Sequence, residues 1–103
     1  MAGIESKREI RRAVDTGKVL FGKKECEKSI LSGGVQLIVF TSSVSKSEKE
    51  RLAHYCKAAG IPKFEFKGSS QELGAVCGKA FVVSVMGIID AGKSKVRELE
   101  EKS

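Results

Sequence analysis

Two glycine-led, lysine-bearing segments give this sequence its clearest means of acting on anions: Gly22-Lys23-Lys24-Glu25 and Gly87-Ile88-Ile89-Asp90-Ala91-Gly92-Lys93-Ser94. The second matches the phosphate-loop pattern G-x-x-x-x-G-K-[ST] letter for letter. That pattern holds a nucleotide when a flexible strand-to-helix loop aims amides at phosphates, a Lys at the terminal phosphates and a hydroxyl at magnesium. Here Ile88 and Ile89 continue an apolar run that reads as a strand. Nine residues follow Ser94, too few for the later strand that would supply the metal-holding acid. The expectation is therefore a turn from Asp90 to Lys95 leading into a short charged C-terminal helix, with no nucleotide bound.

The first segment stands where a strand gives way to a helix. Unpaired amides at a helix start attract phosphate, two lysines strengthen the attraction, and Gly22 permits close backbone approach. Taken alone it reads equally as an ordinary turn with solubilising lysines. Ser42 and Ser43, followed by Lys46, stand after the next strand and could add hydroxyl contacts at the same end of a sheet. Later in the chain, Leu73-Gly74 and Gly78-Lys79-Ala80-Phe81 supply a small-residue helix, a loop and an aromatic. Lysines beside a stackable ring suit RNA, whose unstacked bases pack on apolar side chains.

Other chemistry finds little support. The single His, His54, lies in a Lys- and Glu-rich helical stretch and forms no recognisable dyad with Cys56 or Cys77, so catalysis is not expected. Cys26, Cys56 and Cys77 are odd in number and far apart. No Cys or His pair has zinc-ligand spacing, and buried free thiols are the expectation, with neither metal nor other cofactor.

The elements that must position these residues follow from patterning. One hundred and three residues, 41% hydrophobic and 31% charged, suit a single domain spanning 1–103 with a modest core. Residues 1–3 and 96–103 are expected to fray. Ser6 with Glu9, Ser45 with Glu48, and Ser69 with Glu72 have the spacing of capping boxes. The first opens a helix with Ile10, Ala13 and Val14 on one face, ended by Gly17. The second carries Leu52, Tyr55, Cys56 and Ala59 and closes at Gly60. The third carries Leu73, Val76, Cys77 and Ala80, with Gly78 ending it early. Gly22 to Ser32 forms one more helix. Strands are expected at Val19–Phe21, Leu37–Phe40, Phe64–Phe66 and Phe81–Ile89. The continuously apolar Leu37–Phe40 run suits a strand covered on both faces. The expected architecture is a three-layer α/β/α sandwich around a four-stranded mixed sheet.

Charge narrows the partner class. The formal net charge is +6, and the excess lies wholly in residues 1–68, which favours polyanions and nucleic acid first. The longest apolar stretch, Phe81 to Ile89, is far short of a bilayer span. A charged N-terminus without an apolar core gives no secretion signal, so a cytoplasmic location is expected.

The ordered segments D-T-G-K-V-L-F-G, S-G-G-V-Q-L-I-V-F, Y-C-K-A-A-G-I-P-K-F-E-F-K-G, S-S-Q-E-L-G and G-K-A-F-V-V-S-V resemble the L30e branch of archaeal and eukaryotic large-subunit ribosomal proteins. That branch lies within the L7Ae superfamily of kink-turn RNA binders, and the resemblance runs from about Ile4 to Lys95. It implies the same three-layer fold, no catalysis, and binding to a kinked internal loop of ribosomal RNA beside other large-subunit proteins. It also implies a free monomer that needs no membrane. The RNA surface it implies comprises Gly22, Lys23, Lys24, Ser43, Lys46, Gly74, Lys79, Ala80 and Phe81. Phe81 would pack on the kinked RNA and Lys24 would contact it near the bend. Two positions depart from common family usage. Ser43 stands where Asn is common and offers one hydroxyl in place of carbonyl and amide. Val82 stands where some relatives carry Arg. At Lys24, the related kink-turn proteins that serve RNA-modification particles and ribosomes usually carry Asn followed by Glu. Lys24 favours the ribosomal branch, whereas Glu25 keeps a nonribosomal kink-turn adaptor as the alternative.

Overall fold

The computed structural model describes residues 6–92. The expected Ser6 side-chain cap, the charged helix beyond Asp90, the Lys93-Ser94 end of the phosphate-loop pattern and the frayed termini lie outside what it describes.

Eight elements follow in order: α1 (Ser6–Thr16), β1 (Lys18–Phe21), α2 (Lys23–Ser32), β2 (Leu37–Thr41), α3 (Lys46–Ala59), β3 (Lys63–Phe66), α4 (Ser70–Val76) and β4 (Val85–Asp90). The sheet order is β1-β4-β2-β3. β4 runs antiparallel to both neighbours, while β2 and β3 are parallel. The sheet is mixed because β2 reaches β3 through the α3 crossover, the connection that parallel strands require.

The apolar run of β2 explains the layering. Side chains alternate across a strand, so Leu37 and Val39 enter one core with Ile10, Ala13, Leu73 and Met86 from α1, α4 and β4. Ile38 and Phe40 enter the opposite core with Cys26, Ile30, Leu52 and Cys56 from α2 and α3. All five β2 residues are buried. A one-residue slip would exchange the two sets, so this strand fixes the register of the sheet.

Capping follows the sequence in part. Ser69 and Glu72 form a complete capping box at α4, with reciprocal bonds of 3.1 and 3.2 Å. At α3 the Ser45 hydroxyl accepts from the Glu48 amide, but the Glu48 carboxylate turns to Lys23 of α2. The expected strand from Phe81 to Ile89 is shorter at its start. β4 begins at Val85, and residues 77–84 form a loop held to α4 by the Val83 amide, which donates to the Ser70 carbonyl at 3.0 Å. Ala80 therefore lies in this loop, beyond the helix. Gly87 to Asp90 lie inside β4, so the first half of the phosphate-loop pattern is strand and cannot curl around a phosphate. Among the described residues no helix is long and apolar enough to cross a membrane.

All three thiols are free and buried. Burial pushes the Cys26 thiol up to about 12, aided by Glu25, Cys56 and Glu27. Burial pushes Cys77 up to about 11 against the opposing pull of Lys79 and Arg11, and it also raises Cys56. Such thiols remain protonated when folded and titrate near 9 when exposed, so their stabilising contribution is complete below pH 9 and declines as pH rises toward 11–12. The urea midpoint is expected to fall between pH 8 and pH 10, with Cys26 and Cys77 each contributing about 1 kcal/mol. Native protein at pH 8 is expected to resist a thiol reagent that labels all three cysteines in urea. Rapid labelling of the native state, or a constant midpoint, would contradict this burial.

Candidate nucleic-acid interface

One end of the sheet collects the candidate residues. The C-terminal ends of β1, β2 and β3 meet the N-terminal end of β4 there, as the Phe21–Met86, Phe40–Val85 and Thr41–Phe66 pairings require. The Gly22 amide donates to the Val85 carbonyl at 3.0 Å and the Thr41 amide to the Ser84 carbonyl at 2.9 Å. The loops after β1 and β2 are thus tied to either side of the start of β4.

Gly22 is the N-cap of α2, with φ of +102° and ψ of 145°. A Cβ there would meet nothing within 4 Å, so the requirement for glycine is conformational. Having no side chain, Gly22 leaves the first amides of α2 without a side-chain cap, and these amides carry the positive end of the helix dipole. Lys23 and Lys24 flank them, both exposed, yet they differ in availability. Lys23 Nζ lies 2.5 Å from Glu48 Oε1 of α3. Lys24 has no ion-pair partner among the described residues. Its charge is therefore the more available one for an incoming phosphate.

Beside this corner, Gly22, Lys23, Val44, Ser45, Glu48, Ser84 and Val85 line a groove of about 480 Å³. Lys46 is exposed in the first turn of α3 next to it. Ser43 is exposed, with its hydroxyl 2.8 Å from that of buried Thr41. Ser42 turns away, donating its hydroxyl to the Gly68 carbonyl at 3.2 Å.

The other part of the constellation converges on Phe21. Its ring meets the Phe81 ring edge to face, with centroids 5.7 Å apart and an interplanar angle of 80°. Lys79 Nζ lies 5.5 Å from the Phe21 centroid, a cation–π contact. Phe81 is still 53% exposed and Val82 58%, so an apolar edge remains open beside a cation. Gly74 lies underneath, buried in α4. A Cβ at that position would overlap the Phe81 carbonyl oxygen and approach the Phe81 carbonyl carbon and Val82 Cα to 3.4 Å. Gly74 therefore positions the loop that carries Lys79, Ala80 and Phe81 and does not itself face solvent.

The structure thus brings Gly22, Lys23, Lys24, Lys79 and Phe81 around the end of β1, places Ser43 and Lys46 after β2, and sets Gly74 behind the loop. Sequence reasoning missed two contributors. Phe21 was read as a strand residue only, and Glu48 as half of a capping box. Alternation along β1 could have shown which way Phe21 points, but nothing local links Glu48 to a lysine 25 positions earlier. Among the described residues, no three His, Cys, Asp or Glu side chains gather as a metal site would require.

Fold and site together define a small three-layer α/β/α protein that presents basic and aromatic groups at one end of its sheet. The family model described as "Ribosomal protein L7Ae/L30e/S12e/Gadd45 family" matches residues 5–98, and the chain belongs to that family, which is structural and non-enzymatic. Large ribosomal subunit protein eL30 of Methanocaldococcus jannaschii is 43% identical over 93 residues, covering 90% of this chain and 84% of the relative. Its namesake from Sulfurisphaera tokodaii is 37% identical over 98 residues, covering 95% and 91%. A solved structure of a protein with unknown function from Bacillus halodurans C aligns with a TM-score of 0.78 at 27% identity, covering 91% of this chain and 95% of that one.

Proposed function

We propose that this protein is a constituent of the large ribosomal subunit that binds a kink-turn internal loop of ribosomal RNA and stabilises its bent form. Family membership and the names of the relatives support the ribosomal part of this reading. One observation carries the RNA part: Lys79 and Phe81 converge on Phe21 immediately before the uncapped, lysine-flanked start of α2. A bend crowds phosphates, which Lys24, Lys46 and Lys79 would neutralise. It also exposes unstacked bases, for which Phe81 offers a stacking edge and the groove beside Gly22 a shallow seat. No bond is made or broken. Binding selects the bent conformer from the free RNA ensemble, and the affinity gained equals the differential interaction with that conformer. The free protein is a cytoplasmic monomer in this reading, meeting neighbouring large-subunit proteins only on assembly.

Gel-shift titration against a kink-turn RNA and a straight duplex of equal length tests the reading. Preference for the kink-turn is expected, with affinity falling as salt rises. Lys24→Ala is expected to weaken binding and reduce the slope of log K against log salt by about one. Equal binding to bent and straight RNA would overturn the kink-turn assignment. Sedimentation with large subunits is expected in cell extracts. Co-purification with RNA-modification enzymes in their absence would instead favour the adaptor reading that Glu25 keeps open.

A further inference from the structure

The basic residues of α1 lie outside the constellation described so far, but the structure joins them to it. Lys7, Arg8, Arg11 and Arg12 are all exposed, while Glu9, Ile10 and Ala13 are buried. At 3.6 residues per turn, positions 7, 8, 11 and 12 share one continuous stripe on the outer side of the helix. Its C-terminal end holds Asp15, which is bonded to Arg11 Nε through both carboxylate oxygens at 3.0 and 3.1 Å. The Arg11 guanidinium also reaches toward the late loop. Its Nη1 lies 2.7 Å from where a Cβ on Gly78 would stand, with Cζ at 3.0 Å and Nη2 at 3.2 Å. Gly78 directly precedes Lys79, and Arg11 and Lys79 are both near enough to buried Cys77 for their charges to oppose the rise of its thiol. The cations of the late loop and those of α1 therefore adjoin across Gly78.

We propose that the α1 stripe is a second phosphate-binding surface, which takes the backbone of the RNA stem leaving the bend on the Lys79 side. This inference rests on the kink-turn reading above. The preferred partner is an RNA stem because the stripe adjoins the loop proposed above to contact RNA. It also offers guanidinium groups, whose forked donors suit phosphate oxygens. Arg8 and Arg12 carry most of the attraction, since Arg11 is already paired with Asp15.

The test uses the full chain and two kink-turn RNAs that differ only in the length of that arm, one ending beside the bend and one extended by a further helical turn. Wild-type protein is expected to bind the longer RNA several-fold more tightly and with a steeper salt dependence. In the R8A/R12A variant that increment disappears, with the salt slope on the long RNA lower by about two, while affinity for the short RNA is unchanged. An unchanged thermal midpoint would show that the loss is one of binding. Equal wild-type affinity for both RNAs would overturn the inference and leave the kink-turn site standing, as would an equal loss on both RNAs in the variant. Failure of the wild type to prefer either bent RNA over a straight duplex would overturn the underlying reading first.

Discussion

Replacing Gly74 with alanine is expected to lower the thermal midpoint by about 10 °C and to weaken RNA binding beyond what lost stability explains. Intrinsic propensity alone predicts the opposite sign, because glycine within a helix costs roughly 0.5–1 kcal/mol relative to alanine. Geometry reverses it. The added methyl would overlap the Phe81 carbonyl oxygen and press on Val82 Cα, and both are backbone that cannot rotate aside. The loop is also tied to the other end of α4 through the bond from Val83 to Ser70, so relief requires moving the whole segment. Overpacking of this kind typically costs about 1–3 kcal/mol, and in a domain of this size each kcal/mol moves the midpoint by roughly 4–8 °C. The displaced segment carries Lys79 and Phe81, so affinity should fall even at a temperature where the variant is fully folded. Ala75→Gly supplies the control. It weakens the same helix at an exposed position and should lose stability while binding RNA normally. A Gly74→Ala protein more stable than wild type, with unchanged affinity, would show that the loop yields without consequence.

That glycine marks where the sequence was legible and where it was not. The layers followed from β2, because Leu37 to Phe40 leave no residue for a wet face and alternation then sends pairs to opposite cores. Ser45 and Ser69 announced helix starts because an N-cap needs only groups three residues apart. The start of β4 was not legible. Phe81-Val82-Val83 has strand-forming side chains, but a strand also needs partners, and both run out beside Val85: β1 turns away at Gly22, and β2 ends at Thr41. Local composition records neither event. The site divided in the same way. Gly22 and the lysines stood together in sequence, as did Lys79 and Phe81, and each group could be recognised as a unit. Their convergence on Phe21, and the capture of Lys23 by Glu48, depend on how β1, the late loop and α3 meet in space. The same is true of Gly74, which the resemblance places in the RNA surface and across which the Phe81 backbone lies.

Truncating Phe81 to alanine is expected to weaken kink-turn binding by about 1–3 kcal/mol, roughly five- to 150-fold, and to lower the thermal midpoint by roughly 2–12 °C, so affinity is compared at a temperature where the variant is fully folded. The ring is 53% exposed and meets Phe21 edge to face, an interaction contributing about 0.5–1.5 kcal/mol beyond the area it buries. Phe81 is not a core residue, so its removal leaves the fold intact while lowering its stability modestly. In the complex the same ring would cover an unstacked base or ribose face, and its loss returns that surface to water. The salt dependence separates this effect from charge. Phe81→Ala should lower affinity equally at all salt concentrations, because no phosphate contact is removed, whereas Lys79→Ala should flatten the salt dependence by about one unit of slope. Phe81→Leu discriminates further: it keeps apolar contact but not a stacking plane, so an affinity between wild type and Phe81→Ala would indicate stacking on a base. Affinity of Phe81→Ala within twofold of wild type would place the ring outside the interface. The RNA would then have to rest on the Lys24 and Ser43 side of the sheet end, and the convergence of Lys79 and Phe81 on Phe21 would serve only to pin the late loop.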